Sequence, residues 1–122
     1  MIRRVKGELY VEGISLANIA KEFSTPCYVY SKKAIEENYL SYVEALESQS
    51  HLVCYAVKSN SNIAVLQLLS SLGAGFDVVS IGELERVLLA GGDPKKLARV
   101  AQQLEKIQAI GGFSRVVPSE GI

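Results

Sequence analysis

The run Leu52-Val53-Cys54-Tyr55-Ala56-Val57, apolar throughout and followed at once by Lys58-Ser59-Asn60, constrains this chain more than any other segment. A strand exposed on one face alternates apolar and polar side chains. An unbroken apolar run suits a strand covered on both faces, as in a parallel sheet flanked by helices. This run ends on a lysine, at the point where a strand gives way to a polar turn. An ammonium emerging beside a low-dielectric wall is driven towards the neutral amine, the form that attacks a carbonyl to make a Schiff base. A lysine that opens a loop and points into water fits the same local sequence, so both readings stand at this level.

The segments on either side alternate between strand and helix patterns. Residues 8–13 alternate polar and apolar and end at Gly13, which predicts a short exposed strand. Ser15 is placed to cap a helix carrying Leu16, Ile19, Ala20 and Phe23 on one face. Thr25-Pro26 breaks that helix, and Cys27-Tyr28-Val29-Tyr30 predicts a compact strand. Ser31 then caps a helix reaching about residue 47, with Ile35, Tyr39, Tyr42, Val43 and Leu46 near helical spacing. The lysine strand follows over 51–57. Ser61 or Asn62 opens a helix over 63–72, which Gly73 stops. Residues 75–79 form the next strand. Ser80-Ile81-Gly82-Glu83 fits an S-x-x-E capping box and opens a helix through Leu89, ended by Gly91-Gly92 with Pro94 beyond.

Strand and helix in strict succession are the pattern of consecutive βαβ units, hence an α/β chain with a parallel sheet. It is either an open doubly wound sheet or a (β/α) barrel, with chemistry at the C-terminal strand ends in both. Lys58 lies at such an end, and Asp77 lies one strand later. A two-residue period puts Lys58, Ala56 and Cys54 on one face and turns Tyr55 and Val57 towards the helices. The small Ala56 leaves room there for a flat ligand. Asp77, in an apolar strand, requires a partner, and a cap or an ion pair would satisfy it as well as a ligand.

Composition narrows the function classes. At 122 residues, 48% apolar and 21% charged, the chain suits a single domain able to bury a core rather than a disordered tail. Thirteen basic and thirteen acidic residues balance, which leaves no electrostatic case for nucleic acid or an anionic membrane as partner. The basic residues near the start precede no long apolar run, so neither a signal peptide nor a membrane span is expected. Cys27 and Cys54 sit in strand-like apolar runs and read as reduced core residues of a cytoplasmic protein, a disulfide between neighbouring strands being the alternative. Two cysteines and one histidine without ligand spacing predict no metal site.

Three ordered segments then become recognisable: Thr25-Pro26-Cys27-Tyr28-Val29-Tyr30, Tyr55-Ala56-Val57-Lys58-Ser59-Asn60 and Gly75-Phe76-Asp77-Val78-Val79-Ser80. With Gly82-Glu83-Leu84 and Ala90-Gly91-Gly92 after them, the chain from about residue 8 to 96 resembles the amino-terminal part of the diaminopimelate decarboxylases. These are pyridoxal-phosphate enzymes of the alanine-racemase-like barrel class. Tyr-Ala-Val-Lys alone is a weak signal, whereas the ordered matches at family-like spacing are specific. The resemblance implies a partial (β/α)8 TIM-type barrel holding its first few βα units. It implies pyridoxal 5'-phosphate as cofactor, Lys58 as its Schiff-base lysine, Ala56 near it, and Asp77 as an acidic residue of the pocket. Glu83 would serve as a helix cap. The reaction implied is decarboxylation of meso-2,6-diaminopimelate to L-lysine, in lysine biosynthesis, by a homodimer when complete. Another enzyme of the class, such as an ornithine-type decarboxylase or an alanine racemase, and a non-catalytic interaction module are the competing readings. The first and third segments favour the diaminopimelate enzyme.

Two departures qualify the resemblance. Ile81 stands where the family has a glycine. After Lys96 the family continues with an apolar strand, whereas Leu97, Val100, Ala101, Leu104 and Ile107 make a helical stripe here, followed by Gly111-Gly112 and a short strand over 113–117. The chain is accordingly read as a barrel part, 1–96, and a divergent tail, 97–122. An eight-unit barrel takes about 250 residues. The expectation is therefore a fragment inactive alone, with an unpaired sheet edge that favours self-association.

Overall fold

The computed structural model describes residues 2–98, and the chain divides into two compact units, Met1–Leu40 and a second that begins at Ser41. In the first unit, β1 (Ile2–Val5), β2 (Glu8–Val11) and β3 (Ile14–Ser15) form an antiparallel sheet in that order. Both hairpins turn in two residues: Lys6 and Gly7 have φ of 48° and 87°, Glu12 and Gly13 of 52° and 87°. Positive φ at both central positions gives the turn whose twist matches that of paired strands, and glycine takes the second position without strain. The strand predicted over 8–13 is thus β2, shortened by the second turn. Its partner β1 escaped the sequence pattern because every residue from Ile2 to Val5 is exposed, so no buried face imposes alternation.

Helix α1 (Leu16–Phe23) starts after Ser15 as expected, although Ser15 makes no side-chain cap bond. Leu16, Ile19 and Ala20 are half-buried, while Phe23 at the end of the stripe is exposed. Helix α2 (Lys32–Ala45) is capped by Ser31, whose Oγ accepts from the Ala34 amide at 3.0 Å. The Glu12 carboxylate accepts from Ser31 Oγ and, at 2.7 Å, from the Lys33 amide, which ties the second hairpin to the first turn of α2. Cys27-Tyr28-Val29-Tyr30 corrects the sequence reading. It forms no strand, Cys27 is exposed rather than in a core, and Tyr28 is 90% exposed and stacked on Tyr30 at 6.3 Å. Strand propensity measures fit to a pleated, half-buried surface, and no neighbouring strand among the described residues supplies that surface.

The second unit carries β4 (Cys54–Ala56), a 3-10 turn (Val57–Ser59), α3 (Ile63–Ser71), β5 (Gly75–Asp77), α4 (Ile81–Leu89), a second 3-10 turn (Pro94–Lys96) and β6 (Leu97–Ala98). The strands run parallel in the order β4-β5-β6, the α/β arrangement expected. The core is Val57, Leu66, Phe76, Leu84 and Val87, each under 2% exposed. Leu66 comes from the α3 stripe with Val65 and Leu69; Leu84 and Val87 come from α4. A Cβ added to Gly92 would come within 3.2 Å of Phe76 Cε2 and 2.4 Å of Val87 Cγ1, so Phe76 faces α4. Its register partners Tyr55 and Leu97 share that face, and Cys54, Ala56, Gly75, Asp77 and Ala98 take the other.

The strands are shorter than predicted, because Val57 turns into the core as the chain leaves β4, and pairing in β5 stops at Asp77. Leu97, expected to open a helix, opens strand β6 instead. Its ladder with Phe76 outweighs the helical spacing of the residues after it. The rest of that stripe and the strand expected over 113–117 lie outside the described residues.

Candidate functional site

The C-terminal ends of β4 and β5 meet at a register pair, Ala56 and Asp77, with Ala98 of β6 opposite Asp77 on its other side. Asp77 therefore stands between two alanines in the sheet register. One step down, Cys54 is paired with Gly75, and a Cβ on Gly75 would lie 2.6 Å from Cys54 Sγ. The thiol fills the space that glycine leaves. Burial pushes the Cys54 thiol up from its ordinary pKa, and the Asp77 charge adds to the rise. Asp77 Oδ1 is itself shielded from solvent.

Lys58 is the middle residue of the 3-10 turn that follows β4. Of the two readings open for Lys58, the structure agrees with the loop lysine: among the described residues Lys58 is exposed, although its neighbour Val57 is wholly buried. The strand ends at Ala56, so the two-residue period that placed Lys58 on the face of Ala56 and Cys54 does not extend to it. What the structure keeps is its location, two residues past Ala56 at the C-terminal end of a parallel strand. The segment after it is pinned at several points. The Tyr55 hydroxyl donates to the Asn60 carbonyl at 3.1 Å, and Arg86 Nη1 donates to the Ser61 carbonyl at 3.2 Å. Asn60 Oδ1 accepts from the Asn62 amide at 3.0 Å, and Asn62 Oδ1 caps α3 through the Ala64 amide at 2.9 Å.

Beyond β5, Ser80 Oγ accepts from the Glu83 amide at 3.2 Å and Glu83 Oε2 accepts from the Val79 amide at 2.8 Å. The capping box is real, with its return bond one residue earlier than the usual pattern, and it commits Glu83 to the helix. His51 precedes β4, away from the end that leads to Lys58; its Nδ1 lies 2.8 Å from the Gln49 carbonyl. Among the described residues no three metal-ligating side chains cluster, and no helix is long and apolar enough to cross a membrane. Tyr55 and Arg86 are the site residues that sequence reasoning missed. A phenol on the helix side of a strand just before a polar turn is a weak signal for Tyr55, and nothing local marks Arg86, 25 residues from the carbonyl it meets.

An accessible primary amine, a face of small residues and a carboxylate at the strand ends fit a flat group bearing an aldehyde. The comparisons with known proteins agree. Residues 32–111 match the family described as pyridoxal-dependent decarboxylase, pyridoxal binding domain. The chain is 60% identical over 90 residues to diaminopimelate decarboxylase of Pseudomonas aeruginosa, covering 74% of this chain and 22% of that protein. It is 50% identical over 91 residues to that of Vibrio cholerae, covering 75% and 22%. Among solved structures, diaminopimelate decarboxylase from M. jannaschii in co-complex with L-lysine superposes with a TM-score of 0.75 at 36% identity, covering 80% of this chain and 24% of that one. The Helicobacter pylori enzyme, also complexed with L-lysine, gives 0.59 at 40%, covering 66% and 21%. The chain thus spans between a fifth and a quarter of the length of these relatives. Its parallel sheet is part of a (β/α)8 barrel of the alanine-racemase-like class, as the resemblance implied. From the ordered motifs, the strand-end site and the shared fold together, this chain belongs to the pyridoxal-dependent decarboxylases, through their pyridoxal binding domain.

Proposed function

We propose that this chain is the cofactor-anchoring part of a diaminopimelate decarboxylase, acting on meso-2,6-diaminopimelate to give L-lysine and carbon dioxide. The observation that carries the reading is the place of Lys58, immediately beyond the strand end where Ala56 and Asp77 are paired. Pyridoxal 5'-phosphate, when bound, supplies an electron sink for the charge left on an amino acid's α-carbon as its carboxylate departs. Lys58 would hold the cofactor's aldehyde through Nζ, and a substrate amine would compete with it for that place. Ala56 and Ala98 keep the sheet face low enough for a flat ring. Asp77 places a carboxyl group at the strand ends, beside Ala56, where an amino-acid substrate would enter. The identity to diaminopimelate decarboxylases and the L-lysine complexes of the solved relatives support the substrate class.

The test is a spectroscopic titration of the chain with pyridoxal phosphate, then with amino acids. The parent chain should develop the imine absorption and Lys58→Ala should not. The loaded chain should respond to meso-diaminopimelate at lower concentration than to L-ornithine. A spectrum indifferent to Lys58, or a preference for ornithine, overturns the reading.

A further inference from the structure

Residues 60–62 leave the 3-10 turn without entering a strand, and α3 begins only at Ile63. The carbonyls of Asn60 and Ser61 therefore lack ladder partners, and each is taken by a side chain from another element, Tyr55 of β4 and Arg86 of α4. Both bonds close on the segment that follows Lys58. Val57, wholly buried, fixes the near end of that segment, and the Asn62 cap on α3 fixes the far end. Lys58 itself makes no side-chain hydrogen bond or ion pair that the described residues supply. Its stem is flexible, so the backbone that bears it sets the point from which Nζ reaches.

We infer that Tyr55 and Arg86 are positioning residues for Lys58, their two bonds to consecutive carbonyls holding the turn so that the amine is presented at the Ala56–Asp77 strand ends. The inference rests on Lys58 being the attachment lysine. Arg86 is exposed in the last turn of α4, and its guanidinium reaches to a carbonyl of the lysine-bearing segment. Tyr55 is half-buried, and its hydroxyl sits at the end of a ring already anchored on the helix side of the sheet.

Three variants of the full chain test this. Tyr55→Phe removes only the hydroxyl, Arg86→Met removes the donor and keeps the bulk, and Arg86→Lys restores a donor. Amide hydrogen exchange over residues 57–62 is read without cofactor. Separately, pyridoxal phosphate is trapped by borohydride and the share of label on Lys58 is mapped by peptide. Tyr55→Phe and Arg86→Met should each speed exchange over 57–62 about fivefold while leaving α3 and α4 unchanged. Both should also shift label from Lys58 to lysines such as Lys32 and Lys95, and Arg86→Lys should recover both readouts. An unchanged Lys58 share in Tyr55→Phe and Arg86→Met, with or without faster exchange, overturns the positioning role and leaves Lys58's own role intact. Label scattered on the parent chain overturns the role of Lys58 first, and the positioning role with it.

Discussion

Ala56 and Asp77 close neighbouring parallel strands as register partners, and Lys58 follows Ala56 by two residues. The pair places a carboxyl group and a small side chain on one sheet face. Cys54 sits one step below on that face and senses the carboxylate. Because the Asp77 charge adds to the burial that raises the thiol, Asp77→Asn should increase its thiolate fraction. Burial is the larger cause, so alkylation of Cys54 by iodoacetamide should quicken only about two- to threefold. The exposed Cys27 should not respond, and an unaltered Cys54 rate would separate Asp77 from this face.

A flat cofactor on this strand end, as proposed, requires the small side chain of Ala56. Ala56→Leu adds bulk at a half-buried position, at a cost of about 1 kcal/mol. It should abolish pyridoxal-phosphate binding measured by absorbance titration while the thermal unfolding midpoint falls by only about 3–6 °C. Retained binding would move the cofactor away from this strand end.

Gly75 is held small from two sides. A Cβ there would lie 2.6 Å from Cys54 Sγ and 2.7 Å from the Lys96 carbonyl oxygen. Gly75→Ala should cost about 1–3 kcal/mol in urea unfolding. Adding Cys54→Ala should recover only part of that loss, since the thiol is then gone but the Lys96 carbonyl belongs to the backbone.

The first unit carries its own pH dependence. The Ser31 hydroxyl, and then the Lys33 amide, hold the Glu12 carboxyl below its ordinary value of 4.5. A carboxyl lowered in the folded state stabilises the fold above its unfolded pKa, and that contribution disappears as pH falls through the lowered folded value. Stability measured on acidification below 4.5 should therefore fall less steeply in Glu12→Gln and in Ser31→Ala than in the parent. An identical acid limb in all three would remove Glu12 from the account.

Much of this was legible in the chain itself. The apolar run into Lys58 announced a parallel strand, although the coverage of both faces that it suggested is not met: β4 is half-buried throughout and Leu52 is 49% exposed. The α3 and α4 stripes, with Asn62 and Ser80 as caps, announced the helices between the strands. Strand β1 and the lack of a strand at Cys27-Tyr28-Val29-Tyr30 were hidden for a common reason, that neither segment is patterned by a buried face. The exposure of Lys58 was one of the two readings left open, because the run of apolar neighbours reports on the strand, not on the turn after it. The bonds from Tyr55 to Asn60 and from Arg86 to Ser61 leave no periodic trace, since a side chain that meets a distant carbonyl obeys no spacing rule.

The most direct measurement is to add substoichiometric pyridoxal phosphate to the chain, reduce with borohydride and map the modified peptides by mass spectrometry. The account predicts label concentrated on Lys58, lost in Lys58→Ala and kept in Lys32→Ala and Lys95→Ala. Label spread evenly over the lysines, and equal in all these variants, would contradict it.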